Sequence, residues 1–189
     1  QRQMCIRDSD KAINSGPVSA ADVVAASPWA ASVKQAKKLV TGGTKTSEVF
    51  SWEDSKTKKI SGFDAAIAQA LARYIIGGDD ARSLLEVQQV TSETRETVLT
   101  NGTVKAVIAT YTITPERAKK IDFAGPYYAS SQAILVKADN KDITGVDTLT
   151  GDVAVQSNSS SAAALKKYAP KATAKPLSLI HISEPTRPL

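Results

Sequence analysis

Cysteine, histidine and methionine are almost absent from this sequence. Each occurs once in 189 residues, as Cys5, His181 and Met4, and all three lie in the terminal segments. The long stretch between them, 10–176, therefore offers no thiol nucleophile, no imidazole base and no His/Cys ligand set for zinc. We expect this stretch to hold no catalytic residue, no metal and no other cofactor.

Aromatic residues are also scarce, at 5% of the chain, and the formal net charge is only +5. Lysine and arginine are scattered among acidic residues, so the sequence lacks the basic stripe with interleaved aromatics that nucleic-acid binding needs. No apolar run approaches the roughly 20 residues of a membrane-spanning helix. Hydrophobic residues make up 42% of the chain, which is enough for one or two domains with a buried core.

The terminal segments that carry the rare residues look like translations of one DNA element. One short element that resembles a transposase-type adapter, read on its two strands, would encode both 4–9 and 177–182. A chance coincidence would require several codons to agree by accident. We interpret 1–9 and 177–189 as translated sequencing adapter and exclude them from the fold, so His181 carries no function and we expect the native gene to continue at both ends.

Between these segments, strand and helix patterns alternate after an Ala/Ser-rich stretch at 10–37, which we expect to be a leader of linker and short helix. Apolar residues recur at helical spacing from Phe63 and stop at Gly77. Ser92 is the expected N-cap of a second helix. The alternation predicts an α/β unit. The predicted strands are 38–44, 84–90, 104–110, 132–138 and 152–157, and the predicted helices are 63–75, 92–99 and 159–168.

The segment 109–128, ATYTITPERAKKIDFAGPYY, contains the main candidate residues for binding a ligand. Thr114 is a good N-cap and Pro115 suits the first helical position, so a helix is predicted just after a strand ends. Arg117 then lies on the first turn. Free N–H groups at a helix start suit an anion, and a guanidinium adds two parallel bonds to a carboxylate.

Two threonines can serve the same ligand. Thr110 and Thr112 stand at strand spacing near the strand end, and open α/β sheets bind ligands beyond the carboxyl ends of their strands. The alternative is that Arg117 only pairs with Glu116 or Asp122 on the surface. The residues by themselves leave both interpretations open.

Several motifs together resemble the extracellular amino-acid-binding proteins of ABC importers, and within them the glutamate-binding branch. The resemblance covers 38–176 in order and spacing. It implies an α/β, periplasmic-binding-protein-like fold of two lobes, with lobe 1 at 38–129 largely present and a hinge strand and truncated second lobe at 130–176. The motifs are GFD at 62–64, VTSETRETVLTNG at 90–102, AVIATYTITPERAKKIDFAGPYY at 106–128, ILVKADN at 134–140 and VAVQSNSSSAAALKKYAP at 153–170.

The resemblance also implies roles for individual residues. Arg117 would hold the α-carboxylate of an amino acid, assisted by Thr112, and the Thr110 carbonyl would accept from the α-ammonium. From the second lobe, Gln156 and Ser160 would face the ligand.

A second group of residues is expected to contact the side chain of the ligand. Ser92 stands where many relatives place an aromatic ring. Arg95, one turn further on, and Lys45 could form ion pairs with a second carboxylate of the ligand. Such a carboxylate is costly to bury unpaired. We therefore expect glutamate, before aspartate, as the ligand. The alternative for Arg95 is an exposed pair with Glu93 or Glu96.

The resemblance leaves three classes of function open. The first is a monomeric binding component without catalysis, which captures an amino acid by hinge closure and delivers it to ABC permease subunits. Such a protein is extracytoplasmic, either periplasmic or a lipoprotein anchored on the outer face of the membrane. The second is an enzyme on the same scaffold, such as the dehydratases of aromatic amino-acid synthesis. The third is the ligand-binding domain of a membrane receptor. We expect the first class.

Overall fold

The computed structural model of the 189-residue chain describes residues 9–178. Apart from 9, 177 and 178, the terminal peptides interpreted as adapter lie outside the described residues. The chain divides into two compact units, Gln1–Tyr111 and Thr112–Leu189. The lobe boundary predicted at 129/130 thus falls inside the second unit. Within residues 9–178, no helix has both the length and the apolar character needed to cross a membrane.

The first unit is built on a three-stranded parallel sheet. Strand β1 (Leu39–Gly43) lies in the centre, between β5 (Leu85–Gln89) and β6 (Ala106–Val107). These strands confirm the predictions at 38–44, 84–90 and 104–110, although β6 is only two residues long. Leu39 is fully buried, as expected for the central strand of a parallel sheet. The helices of the unit are α1 (9–14), α2 (Ala21–Ala25), α3 (Pro28–Ala36), α4 (Phe63–Ile76) and α5 (Arg95–Thr100).

Helix α4 follows from the apolar spacing noted in the sequence. It ends at Gly77, which has φ 85° and so terminates the helix in a conformation that favours glycine. Ala72 and Ile75 lie on its buried face and pack in one cluster with Leu39 and Val33. The alanines on this face let the helix lie close to its neighbours.

Helices α2 and α3 contribute to this core, so the short helix expected within 10–37 is present, but the expectation that this stretch is a leader with linker is wrong. Val24 of α2 and Val33 of α3 are buried in the same cluster as β1. Helix α3 begins at Pro28, and the Ser27 hydroxyl accepts from the Ala30 N–H at 3.3 Å. The small side chains of an Ala/Ser-rich stretch suggest a linker by composition, yet they also permit close helix packing.

A second, antiparallel sheet precedes α4. It contains β2 (Thr46–Ser47), β3 (Ser51–Glu53) and β4 (Ile60–Ser61). The Asp54 carboxylate closes the turn after β3 by accepting from the Thr57 N–H at 2.7 Å. This bond and one from the Thr57 hydroxyl hold the pKa of Asp54 below its ordinary value. Strands of two and three residues have too little pattern to be predicted.

The second unit contains a two-stranded parallel sheet, β7 (Gly151–Gln156) with β8 (Ala172–Leu177). They are joined by α7 (Ser161–Tyr168), and a one-turn helix, α6 (Pro115–Ala118), lies earlier in the chain. These elements confirm the strand predicted at 152–157 and the helix predicted at 159–168, which begins two residues later. Strand β8 was not predicted because its ATAKPL pattern has few apolar residues.

The prediction of a strand at 132–138 is wrong. Residues 131–137 have no regular structure, and Leu135 is 98% exposed. A strand exists only where a neighbour accepts and donates its backbone hydrogen bonds, and no strand of the described residues pairs with this segment. The sequence has the apolar pattern of a strand, but the partner decides whether one forms.

We expect hydrogen exchange on the 189-residue chain to distinguish these segments. Amides bonded in the β7–β8 ladder should exchange slowly, whereas those of 131–137 should exchange near the unprotected rate, since no ladder holds them. Strong protection throughout 131–137 would contradict this expectation and would show that the segment is paired in solution.

Candidate functional site

Three residues of the predicted site follow the carboxyl ends of the three parallel strands in the first unit. Lys45 comes after β1, Ser92 after β5 and Thr110 after β6. Because parallel strands end at the same edge of a sheet, the structure brings these residues to one edge. This is the edge at which open α/β sheets bind ligands.

The backbone at Thr110 has an unusual conformation. Its φ is 47°, in the left-handed region that residues other than glycine rarely adopt. The Thr110 N–H donates to Oδ2 of Asp64 at 2.9 Å. Asp64 lies in the first turn of α4 and is only 1% exposed, while Thr110 itself is exposed. A buried carboxylate therefore holds the peptide group of an exposed turn.

Arg95 supports the same turn. It is the first residue of α5 and only 5% exposed, unlike the exposed ion pair considered from the sequence. Its Nη1 donates to the Ala109 carbonyl at 3.1 Å, and its Cζ lies 3.9 Å from the centroid of the Tyr111 ring. Such a desolvated cation–π contact is worth about 2 kcal/mol. The Tyr111 hydroxyl in turn donates to Glu96 at 3.2 Å.

Lys45 is held by the antiparallel sheet. Its Nζ lies 2.9 Å from Oε2 of Glu53, and its backbone N–H donates to the Gln89 side chain at 2.7 Å. The bond to Lys45 holds the pKa of Glu53 below its ordinary value. Both cations predicted for the ligand's side chain are therefore engaged within the first unit.

Ser92 does not cap α5, so that prediction is wrong. The helix begins at Arg95, and the hydroxyl of Thr91 accepts from the N–H groups of Glu93 and Thr94 at 3.2 and 3.3 Å. These bonds hold the turn at 92–94, which separates Ser92 from the helix, and the N-cap of α5 is Thr94, whose side chain makes no capping bond. Ser92 is half-buried in that turn, and its ligand role stays a prediction.

Arg117 is held by two backbone carbonyls of the second unit. Its Nη1 donates to the Thr112 oxygen at 2.8 Å and its Nη2 to the Asn158 oxygen at 3.0 Å. The Thr114 hydroxyl accepts from the Arg117 N–H at 3.3 Å, which confirms the predicted N-cap, and Pro115 follows as the first helical residue. A helix of four residues has a weak dipole, so the guanidinium must supply most of the attraction for an anion.

Glu116 is directed to the helix start. Its own backbone N–H and the Thr114 hydroxyl donate to its carboxylate, and these bonds, with the charge of Lys119, hold its pKa below the ordinary value of 4.5. This carboxylate therefore belongs to the capping arrangement of α6 rather than to the surface pair with Arg117 that the sequence left open.

Ser160 completes a cluster in the second unit. Its hydroxyl donates to the Thr112 hydroxyl at 3.3 Å, so Arg117, Thr112 and Ser160 form one connected group, which we call the Arg117 cluster. It combines a guanidinium with two hydroxyls, and these are groups that can donate hydrogen bonds to a carboxylate.

The loop after β7 supports this cluster. The Ser159 hydroxyl donates to the Gln156 carbonyl at 2.7 Å and accepts from the Ser161 N–H at 3.2 Å, which ties the loop to the first residue of α7. Asn158 has φ 54°, a conformation that asparagine tolerates better than most residues, and it is this residue whose carbonyl accepts from Arg117. Gln156, at the end of β7, is half-buried.

Sequence reasoning did not single out Asp64, whose carboxylate contacts the turn at the predicted site. The available signal was its place between Phe63 and Ala65 in an apolar stretch, where a carboxylate must find a buried donor. Among residues 9–178, no group of three or more His, Cys, Asp or Glu side chains is placed to hold a metal.

Comparisons with known proteins agree with this architecture. A glutamine-binding protein of Geobacillus stearothermophilus is 37% identical over 140 residues, which cover 74% of this chain and 52% of that protein. The glutamate-binding protein GluB of Corynebacterium efficiens is 34% identical over 113 residues, which cover 58% of this chain and 38% of that protein. Among solved structures, the crystal structure of the ancestral amino acid-binding protein AncCDT-1, a precursor of cyclohexadienyl dehydratase, matches with a TM-score of 0.70 at 30% identity. The match covers 82% of this chain and 68% of that chain.

The chain spans about half the length of the first of these curated relatives. The structural match confirms the predicted α/β, periplasmic-binding-protein-like fold, while the extent of the second lobe stays a prediction. Residues 39–178 match the family described as bacterial extracellular solute-binding proteins, family 3. Because this match covers most of the chain, the chain belongs to the bacterial extracellular solute-binding proteins of family 3.

Proposed function

We propose that the protein captures an amino acid outside the cytoplasmic membrane and delivers it to the permease of an ABC importer. The observation that carries this proposal is the Arg117 cluster. A guanidinium and two hydroxyls joined by hydrogen bonds provide the charge and the donors for an α-carboxylate. The family to which the chain belongs is extracellular, which supports the location.

In this proposal the ligand's α-carboxylate binds Arg117 and replaces the backbone carbonyls of Thr112 and Asn158 as acceptor of the guanidinium N–H groups. Thr112 and Ser160 add hydroxyl donors, and Gln156 contributes from the end of β7. The exposed Thr110 offers its carbonyl to the α-ammonium. Its conformation supports this role, because the turn is already fixed before a ligand arrives and little ordering remains to be done on binding.

Glutamate is the ligand that the sequence predicts, with aspartate second. The relative from Corynebacterium efficiens, named for glutamate, supports it. An acidic side chain needs a cation, and the proposed partners are Arg95 and Lys45. Ser92, in the turn before α5, would complete that end of the site.

Glutamine is a second candidate, and the geometry favours it. Arg95 donates to the Ala109 carbonyl and lies over Tyr111, while Lys45 pairs with Glu53. A neutral amide does not require either cation to leave its partner. The relative from Geobacillus stearothermophilus, named for glutamine, points the same way.

We further propose that the protein acts without catalysis, as a monomer without a cofactor, and that it is either periplasmic or lipid-anchored. The Arg117 cluster supports binding over chemistry, because arginine and hydroxyl groups hold an anion but do not exchange protons near neutral pH. The enzyme alternative predicts chemical change in a bound ligand, so proton NMR of the incubated ligand tests it. A new product formed in the presence of protein would favour the enzyme.

Calorimetry on the product of the complete gene tests the ligand. We expect glutamine and glutamate to bind at least about tenfold more tightly than arginine, a difference of roughly 1.4 kcal/mol. Glutamine in first place supports the second candidate, and glutamate in first place supports the first. Preference for arginine would overturn both.

Replacing Arg95 with alanine separates the two candidates further. If Arg95 only supports the 109–111 turn, as its contacts indicate, the affinities for glutamate and glutamine fall by the same factor, about tenfold for loss of a charged hydrogen bond. A loss confined to glutamate would instead place Arg95 on the ligand's second carboxylate. Lys105→Ala, which removes an exposed cation of the same unit, is the control for net charge and should leave both affinities unchanged.

A further inference from the structure

Asp64 is a buried carboxylate that the proposed site does not use. It lies in the first turn of α4 with 1% of its surface exposed. A carboxylate in such a place is costly unless donors satisfy it. Its Oδ2 accepts from the backbone N–H of Thr110 at 2.9 Å, and Thr110 lies 46 residues further along the chain. The bond therefore ties the start of α4 to the turn after β6.

The residue at the other end of this bond has a disfavoured backbone. Thr110 has φ 47° and lies outside regular structure on the surface. A residue with a branched β-carbon persists in the left-handed region only where its surroundings impose it. Two buried side chains act on this turn, since Asp64 accepts from the Thr110 N–H and Arg95 donates to the Ala109 carbonyl.

We infer that Asp64 is a positioning residue, which keeps Thr110 in its left-handed conformation and so fixes the orientation of the Thr110 carbonyl for the ligand's α-ammonium. This inference rests on the proposed function, in which that carbonyl accepts from the ammonium. Asp64 acts through Thr110, so its effect depends on the ammonium and not on the rest of the ligand.

Ligands that lack the α-ammonium test this directly. Calorimetry on the product of the complete gene compares glutamate with glutarate and glutamine with glutaramate. Asp64→Ala is expected to lower the affinity for the amino acids at least about tenfold and to change that for the desamino analogues less than about twofold. Asp64→Asn keeps an acceptor oxygen and should recover most of the loss. Equal losses for both kinds of ligand, or no recovery by asparagine, would overturn the inference.

A double substitution isolates the backbone. Thr110→Gly places a residue there that adopts the left-handed region freely, so the added change Asp64→Ala should cost less than about threefold in amino-acid affinity. The two changes are then coupled, as expected for groups in contact. Additive losses would show that Asp64 acts by some route other than the conformation of Thr110.

Hydrogen exchange at the Thr110 amide tests the contact without a ligand. In the 189-residue chain this amide should exchange at least about 100-fold more slowly than an unprotected one, and Asp64→Ala should remove most of that protection. The matched control is Asp80→Asn, whose carboxylate accepts from the Arg82 N–H at 3.2 Å in the turn before β5, and it should leave Thr110 unchanged. An unprotected Thr110 amide in the parent chain overturns the inference. Failure of every amino acid to bind, with Thr110 protected, overturns the proposed function and leaves the Asp64 contact established.

Discussion

Replacing Arg117 with alanine is expected to abolish measurable amino-acid binding. The change removes the guanidinium that we propose donates two parallel bonds to the ligand's α-carboxylate, each contributing roughly 1.5–3 kcal/mol. The loss amounts to at least about 100-fold in affinity, because the carboxylate would remain desolvated without its partner. Calorimetry with glutamate and glutamine on the product of the complete gene measures the effect.

Two further variants make this result specific to the guanidinium. Arg117→Lys keeps the charge but loses the planar pair of donors, so it should recover only part of the affinity. Lys119→Ala removes an exposed cation just after α6 and should have no effect. Because Arg117 also holds the Thr112 and Asn158 carbonyls, circular dichroism should confirm the fold. Binding by folded Arg117→Ala within about fivefold of the parent would refute the assignment.

The second large effect is expected on stability, from Gly62→Ala. Gly62 precedes α4 with φ 121° and ψ 176°, a region essentially restricted to glycine. A β-carbon there would lie 2.4 Å from the Phe50 carbonyl oxygen. That backbone cannot move away easily, since the Phe63 N–H donates to Val49 and the Ala65 N–H donates to Phe50. We expect a loss of about 4 kcal/mol or more, a large part of a typical domain's 5–15 kcal/mol.

A matched glycine separates strain from collision. Gly77 at the other end of α4 has φ 85° and ψ −173°, but a β-carbon there would only meet Val18 at 3.5 Å. Gly77→Ala should therefore cost about 1–3 kcal/mol, the strain alone. Urea denaturation followed by tryptophan fluorescence measures both, because Trp29 and Trp52 both lie in the first unit. Equal losses would show that the backbone near Phe50 accommodates the added carbon.

The elements that were predicted correctly depend on local patterns. Helix α4 has a continuous apolar period and a glycine stop, β1 starts with two apolar residues and ends in two glycines, and β5 starts by alternating apolar with polar residues. The start of α6 follows from Thr114 and Pro115, because capping involves residues only three positions apart. The ligand anchor at Arg117 was proposed from the same short segment.

The errors occur where distant residues decide. Residues 10–37 have the composition of a linker, yet α2 and α3 bury apolar side chains against β1. Residues 132–138 have the pattern of a strand, but no strand of the described residues pairs with them. In both cases the free energy of the segment depends on what it contacts, and contacts across tens of residues leave little trace in the segment's own sequence.

The sequence by itself determined which residue types are available, where helices and strands have the period to form, and which short segment can hold a carboxylate. Only the tertiary structure decided which of these groups remain available to a ligand. Arg95 has the charge for an acidic side chain, but in the structure it is buried and contacts Ala109 and Tyr111 of the turn. Asp64 is an ordinary helix-start acid until folding brings it to the Thr110 N–H. The physical reason is that burial and hydrogen bonding with distant partners, which no local pattern encodes, set the role of a charged side chain.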